Sequence, residues 1–283
     1  MSVQAEQTFS LLCWNIGNPS VERAGRQAEW LRARREDVLV LTEAKSSDGC
    51  AFLERYFCSF GRYVAFERPL NNDYGVMMIS RGPFRKGPSL KPADYLHARM
   101  AVIDIPSHLG DLEIMGLYVP SRDATEAKKH RKRSFLEQTS RFLAEQLPGQ
   151  RKIVCGDLNV LEPDHVPRYS VFERWEYDFY SGLGQFGLHD AFRLHHPREL
   201  AYSWVGRTGD GYRYDHAFVS QDLLSHVGEC YYLDEPRTAR LSDHSAILLH
   251  LGKRKTQSIP PAPASRSIHE ESPNERQMRI FEW

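Results

Sequence analysis

The sequence predicts an α/β protein: a four-layer α/β sandwich in which two packed, mixed but mainly antiparallel β-sheets are flanked by helices. Three observations predict it. Short apolar runs of strand length recur along the chain, many as neighbouring antiparallel pairs. A few longer stretches carry apolar residues at helical spacing, which suits outer layers laid over two sheets packed face to face. Finally, 283 residues, 41% of them hydrophobic and 11% aromatic, suffice for one large domain with a sizeable core plus an appendage.

The elements follow in order. Residues 9–16 are a strand, and 22–35 a helix with Ala24, Ala28 and Leu31 on one side. DVLVLT at 37–42 is a buried strand. A helix around 51–60 precedes strands near 63–66, 75–79, 100–105 and 112–118. Residues 123–147 form a long helix with Phe135, Leu136, Phe142, Leu143 and Leu147 on a compatible face. A strand at 152–155 is followed by an aromatic, helix-poor stretch at 169–186. Strands near 202–205, 214–219, 228–233 and 246–251 close the body, and no 20–50-residue repeat interrupts it. From Gly252 the composition changes, with Pro260, Pro261, Pro263 and Pro273 among Ser, Gln and charges. The folded domain is therefore placed at 1–252, and 253–283 is expected to be a disordered linker ending in an apolar peptide.

Bulk properties exclude several classes. Lys+Arg and Asp+Glu each number 37, so the chain is no polybasic protein, although a local basic groove remains open to it. No apolar run approaches the roughly 20 residues of a membrane span, and MSVQAEQTFS lacks the features of a signal peptide. Cys13, Cys50, Cys58, Cys155 and Cys230 are widely spaced, which predicts reduced core thiols in a cytoplasmic protein.

Function is written where apolar runs end. Asn15 closes LLCWN, and Glu43 directly follows VLVLT. Tyr118 precedes Pro120 in GLYVPS, Asp157 and Asn159 end KIVCGDLN, Asp215 interrupts YRYDHAFVS, and Asp243-His244 precede the last strand. Singly, each has a structural explanation as a helix cap, a turn residue or a satisfied core group. Together they suit a cleft at converging sheet ends. Clustered carboxylates repel and are tolerated where a hard divalent cation neutralises them. Oxygen-rich, sulfur-free donors favour Mg²⁺, or Mn²⁺ in its place, over zinc. Asp, Asn and His can position and deprotonate a water, while His and Tyr donate to phosphate oxygens. The chemistry is metal-assisted phosphoester hydrolysis.

Trp14-Asn15, Thr42-Glu43, Gly156–Asn159 (GDLN) and Ser242–His244 (SDH) resemble the motifs of the endonuclease/exonuclease/phosphatase superfamily, in order and spacing, over nearly all of residues 8–251. Superfamily phosphatases and sphingomyelinases usually carry a His in the strand before the long helix. Here that strand supplies Tyr118 and Pro120, which resembles exodeoxyribonuclease III and the apurinic/apyrimidinic endonucleases. DYGVMMISR, GLHDAFRLHHP and AYSWVGRTGDGYRYDHAFVS are similar to further segments of that subfamily.

The resemblance implies roles. Glu43 would be the principal metal ligand with Asn15 beside it, and Asp243 a ligand or near neighbour. Asp157 would activate or hold the attacking water, oriented by Asn159. Tyr118 would contact the scissile phosphate or assist the leaving group, Asp215 would orient His244 and set its charge, and His244 would bind a phosphate oxygen. Whether Asp157 or the Asp215–His244 pair is the base stays open. The implied activity is Mg²⁺-dependent cleavage of double-stranded DNA by a cytoplasmic, nucleoid-associated monomer, as an abasic endonuclease, a 3′-to-5′ exonuclease, or both. The alternatives are another superfamily phosphoesterase, acting on RNA, nucleotides or phospholipid head groups, and a catalytically inactive DNA-binding module.

A nuclease of zero net charge needs its positive charge in one place. Lys128, Lys129, Arg131 and Arg133 open the long helix, with Arg122 just before it, and Tyr212-Arg213 lie in an expected loop entering the Asp215 strand. All are candidates for contacting DNA, although charge runs are more often solvated faces. The family's abasic-sugar recognition residues do not map onto the segment between Asn159 and Asp190. At the C-terminus, Gln277, Ile280 and Phe281 resemble the pentapeptide by which bacterial repair enzymes dock on the DNA sliding clamp. The alternative is that this segment folds back on the body.

Overall fold

A computed structural model describes residues 8–88, 90, 96–146 and 149–252. Strand β1 (Thr8–Asn15) shows how the layers arise. Phe9, Leu11 and Cys13 point into the core between the sheets, while Leu12 and Trp14 point into a second core under the outer helices. Period-two alternation with both faces apolar is what a strand buried on both sides requires.

Two six-stranded sheets pack together. The first, ordered β13-β14-β1-β2-β4-β3, contains β2 (Val38–Ala44), β3 (Tyr63–Phe66), β4 (Gly75–Ser80), β13 (Val227–Leu233) and β14 (Ala246–Gly252) besides β1. The second, ordered β5-β6-β7-β8-β12-β9, is built from β5 (Arg85–Lys86), β6 (Met100–Ser107), β7 (Gly110–Tyr118), β8 (Lys152–Asp157), β9 (Leu188–Asp190) and β12 (Asp215–Ser220). Among the described residues only β1–β2 and β7–β8 pair in parallel, so both sheets are mixed and mainly antiparallel. β10 (Trp204–Val205) and β11 (Gly211–Tyr212) form a separate small hairpin.

Helices cover the outer faces. α1 (Val21–Arg32) is capped by Ser20, whose side chain accepts from the Arg23 amide, and buries Ala24, Ala28 and Leu31. α2 (Asp48–Ser59), capped by Ser47, buries Cys50, Leu53 and Phe57. Both lie on the first sheet. α3 (Glu126–Glu145) lays Phe135, Leu136 and Leu143 on the second sheet, beside Phe179 of α4 (Arg174–Gly182). The short α5 (Ala191–His195) and α6 (Glu235–Thr238) complete the body. The four layers match expectation, as do all the sheet strands except β5 and β9, which are not among the expected strands; the strand expected near 202–205 is reduced to β10, outside both sheets.

Some details differ. Residues 169–186, expected to be helix-poor, contain α4, which starts with a capping box between Glu173 and Glu176. Tyr212 lies in the β10–β11 hairpin rather than in a loop. Cys13, Cys50, Cys155 and Cys230 are buried free thiols, and Cys58 is exposed. No helix among the described residues is long and apolar enough to cross a membrane. Leu147 and the segment 253–283, with Gln277, Ile280 and Phe281, lie outside the described residues.

Candidate active site

Strand direction gathers the polar residues. Parallel partners end on the same side, so β1 and β2 deliver Asn15 and Glu43 together, while β7 and β8 deliver Tyr118 and Asp157. β12 is antiparallel to β8, so its first residue, Asp215, stands opposite Asp157. β14 is antiparallel to β1, which brings His244, two residues before β14, to the same end.

The backbone is bent to make this site. Gly156 lets β8 pass close to β7: a Cβ there would lie 1.8 Å from the Leu117 carbonyl oxygen. Glu43 and Asn159 take left-handed backbone angles, φ 58° and 48°, uncommon for residues with side chains. At Glu43 the β2–β4 register also shifts, which lifts the carboxylate out of the ladder.

Asp157 is gripped at both oxygens. Asn15 Nδ2 donates to Oδ2 at 2.9 Å, and the Asn159 backbone amide donates to Oδ1 at 2.9 Å. The Asn15 Oδ1 accepts from the Gly17 amide, and Asn159 Nδ2 donates to the Val119 carbonyl. His244 Nδ1 lies 2.7 Å from Asp215 Oδ2, and its Nε2 lies 4.0 Å from Asp157 Oδ2. Donor atoms of Asp157, Asp215 and His244 all fall within 4.8 Å of one another, and all three residues are buried. The backbone amide of Asp215 donates to Ser203 Oγ, while its Oδ1 is buried without a hydrogen-bond partner among the described residues.

Burial and the negative charge of Asp215 push the Asp157 carboxyl up to about 7. Burial opposes protonation of His244, but the charge and hydrogen bond of Asp215 outweigh it and push the imidazole up to about 9. Burial, with the charges of Glu43 and Asp157, pushes the Tyr118 hydroxyl well above its ordinary value, which keeps it a neutral donor.

These groups open onto a cleft of about 420 Å³, lined by Glu43, Tyr118, Arg122, Asp157, Asn159, Tyr212 and His244 among the expected residues. Half-buried rings form one wall: Tyr212 lies 5.1 Å from Tyr214 and 5.4 Å from Trp204. Glu43 is half-buried and free of side-chain partners among the described residues. Asp243 is exposed and accepts a 2.9 Å hydrogen bond from Trp204 Nε1. A larger hollow of about 540 Å³, beside Glu162, Arg193 and Tyr202, lacks the carboxylate–histidine cluster. Chemistry rather than size selects the smaller cleft.

The expected DNA contacts separate. Arg122 lines the cleft but is bound to Glu176 and to the Val171 carbonyl. Lys128 pairs with Asp123, Lys129 with Glu126 and Glu173, and Arg131 with Asp73. Arg133 is exposed, packed over the Trp175 ring, and has no carboxylate partner among the described residues. Arg213, expected to face DNA, is fully buried and bound to Glu162, Asp190 and Tyr180. A buried arginine needs such partners, and here they leave it no surface to offer.

Sequence reasoning missed Tyr74, Lys132, Phe172, Glu176, Trp204 and Tyr214, which also line the cleft. Lys132 had a signal. Helical spacing sets it on the same face as Phe135, Leu136 and Thr139, inside what otherwise reads as a run of solvated charge.

Residues 12–244 match the Endonuclease/Exonuclease/phosphatase family. No curated protein sequence matches significantly. An AP endonuclease from Archaeoglobus fulgidus superposes with a TM-score of 0.72 at 22% identity, covering 85% of this chain and 98% of that one. The 3′ phosphatase NExo from Neisseria, bound to a product DNA hairpin, gives 0.74 at 21% identity, covering 86% and 99%. An AP endonuclease from Leishmania major gives 0.68 at 20% identity, covering 88% and 89%. At these identities the likeness is one of fold.

Proposed function

The chain belongs to the Endonuclease/Exonuclease/phosphatase family, and from that premise we propose that it is a divalent-metal-dependent DNA repair nuclease of exodeoxyribonuclease III type. It hydrolyses phosphodiester bonds in double-stranded DNA as an abasic endonuclease, a 3′-to-5′ exonuclease, or both, in the cytoplasm at the nucleoid. One observation carries the reading: the linked set Asn15–Asp157 and Asp215–His244 sits at the base of a cleft with Tyr118 beside it. Tyr118 stands where a superfamily phosphatase would place histidine, which favours DNA over the other phosphoesters.

The residues fit a hard divalent cation. Buried carboxylates crowd together, and among the described residues one Asp215 oxygen lacks a partner and the Glu43 carboxylate that lines the cleft is unpaired. Glu43 would hold the ion, with Asn15 and Asp243 near it. Mg²⁺, or Mn²⁺ in its place, supplies charge neutralisation of the phosphate. The remaining chemistry belongs to the side chains. His244 keeps its proton near neutrality and donates from Nε2 to a phosphate oxygen. That leaves Asp157 as acceptor of the proton from the attacking water, with Asn159 orienting that water. Tyr118 donates to the phosphate.

The test is incubation with Mg²⁺ and two labelled duplexes, one abasic and one intact. Cleavage abolished by EDTA and restored by Mg²⁺ or Mn²⁺ is expected, and restoration by zinc alone would contradict the oxygen-donor argument. Glu43→Ala should weaken the metal dependence. Asp157→Asn and His244→Ala should each lower turnover by about 10²–10⁴-fold with the fold retained. Near wild-type cleavage by all three would overturn the site. On the same reading, Gln277, Ile280 and Phe281 dock the enzyme on the sliding clamp. The peptide 276–283 should then bind the clamp in an anisotropy titration, and a Gln277→Ala, Phe281→Ala peptide should not.

A further inference from the structure

The inner end of the cleft holds a charge cluster to which the proposed chemistry assigns no role. Lys132, from the second turn of α3, and Glu176, from the first turn of α4, are 1% and 0% exposed. Lys132 Nζ donates to Glu176 Oε1 at 2.6 Å and to the Asn159 carbonyl at 2.5 Å. Glu176 also binds Arg122 and accepts from the Glu173 amide at 2.9 Å. Three segments therefore meet at one carboxylate: the loop after Tyr118, the opening turn of α4, and, through Lys132, the turn after β8.

An apolar residue would serve packing alone better. Lys132 shares its helix face with Phe135 and Leu136, where burying an ammonium is costly unless it is paired and hydrogen-bonded. What this ammonium grips is the backbone of a strained residue. Asn159 holds a left-handed φ of 48°, and its own amide donates to Asp157 Oδ1. The carbonyl belongs to the peptide after Asn159 and the amide to the one before it, so gripping the carbonyl holds one side of the strained residue whose other side presents this amide. Asp157 is thus set from one side by Asn15 and from the other by a turn pinned from behind.

We propose that Lys132 is a positioning residue for bond cleavage: it acts through the Asn159 carbonyl on the orientation of Asp157, with Glu176 as its charge partner. The proposal rests on the nuclease reading. It requires the effect on turnover to survive when the Glu176 charge is removed as well, and to disappear when Asp157 can no longer act.

The experiment compares the full-length wild type with Lys132→Met, Lys132→Gln and the double variant Lys132→Met, Glu176→Gln. Single-turnover cleavage of a labelled DNA duplex gives the rate, titration of the same duplex in EDTA gives binding, and thermal unfolding reports the fold. The double variant removes the Lys132–Glu176 pair while Arg122 keeps the Val171 carbonyl and Glu173; it should fold, yet cleave about 10–100-fold more slowly than wild type with DNA binding unchanged. Lys132→Gln keeps a donor for the carbonyl and should recover part of the loss seen in Lys132→Met. In an Asp157→Asn background, Lys132→Met should cost no further rate, because the two changes break one unit. A folded double variant with wild-type turnover would overturn the proposal. So would equal rates for wild type, Lys132→Gln and Lys132→Met, or full additivity with Asp157→Asn. A wild type that cleaves no DNA with any divalent metal overturns the nuclease reading as well, which separates the two failures.

Discussion

Asp157 lies where a carboxylate is least comfortable, buried beside Asp215, and two donors hold it there. Such a residue is expensive to retain unless it performs chemistry. Its neighbour Gly156 is fixed by space instead. Any Cβ would meet the Leu117 carbonyl oxygen at 1.8 Å, with the carbonyl carbon and amide nitrogen of the same residue at 2.7 and 2.9 Å. Gly156→Ala should therefore lower stability by about 3 kcal/mol or more, read as a shifted urea midpoint at unchanged slope. An unchanged midpoint would mean that β7 and β8 can part without cost. Tyr118→Phe makes the opposite separation, because it removes one oxygen and leaves the ring against Tyr74 and Arg99. Turnover should fall by about 10–100-fold with stability kept, and equal turnover would remove the hydroxyl from the chemistry. The residues at strand ends were legible in the sequence because each breaks an apolar run. Lys132 and Glu176 were not, because one hides in a charge run and the other in an aromatic segment. The burial of Arg213 was likewise out of reach, since its partners Glu162 and Asp190 are distant in sequence.

Elements were legible in proportion to their length and periodicity. β1, β2 and β8 read as apolar runs because they are covered on both faces. α4 escaped because its RWEYDFYSG buries only Glu176 and Phe179, too few residues for an apolar stripe, although its capping box was a local signal. β9 and α5, three and five residues long, are too short to carry a period. α3 carries a prediction at this scale. Its cations are mostly neutralised by Asp123, Glu126, Glu173 and Asp73, which leaves Arg133, and Arg141 two turns further along, as exposed cations without a carboxylate partner among the described residues; Arg133 is the one nearer the cleft end of the helix. Arg133→Glu should weaken DNA binding and lower the slope of log affinity against log salt by about 1. An unchanged slope would return this face of α3 to bulk solvent. Another prediction belongs to the network joining β9, α5 and β12. Burial opposes ionisation of Glu162, but the hydrogen bond from Arg193 and the charge of Arg213 hold it down at about 2. A carboxyl depressed in the folded state stabilises above its unfolded value and loses that stability as pH falls through the folded one. The contribution, on the order of 3 kcal/mol, should therefore be present above about pH 4.5 and disappear towards pH 2. Glu162→Gln should flatten this part of the stability curve while lowering stability at neutral pH, where Arg213 loses a buried partner. A parallel curve, lower at every pH, would mean that Glu162 does not titrate in this window.

At the scale of the whole molecule, the two sheets repeat one scheme. In each, a parallel pair lies between antiparallel neighbours: β1–β2 between β14 and β4, and β7–β8 between β12 and β6. Stacked face to face, the two parallel pairs end together, and neither sheet alone could assemble Asn15 with Asp157. The candidate site and the fold are therefore one cooperative property, and the described body ends at Gly252, where β14 pairs with the first residue of β1. Every residue assigned here to cleavage precedes that point. A chain ending at Gly252 should therefore keep the thermal midpoint and the turnover of the full protein on a short free duplex. If 253–283 serves as a tether to the sliding clamp, the truncation should lose only the advantage conferred by a loaded clamp, because tethering raises effective concentration without changing the chemistry. The measurement is cleavage by both chains, with and without clamp, on DNA long enough to carry it. Equal loss on free and clamp-loaded DNA would place the segment within the folded enzyme, as the fold-back alternative holds. Loss confined to clamp-loaded DNA would assign it to recruitment.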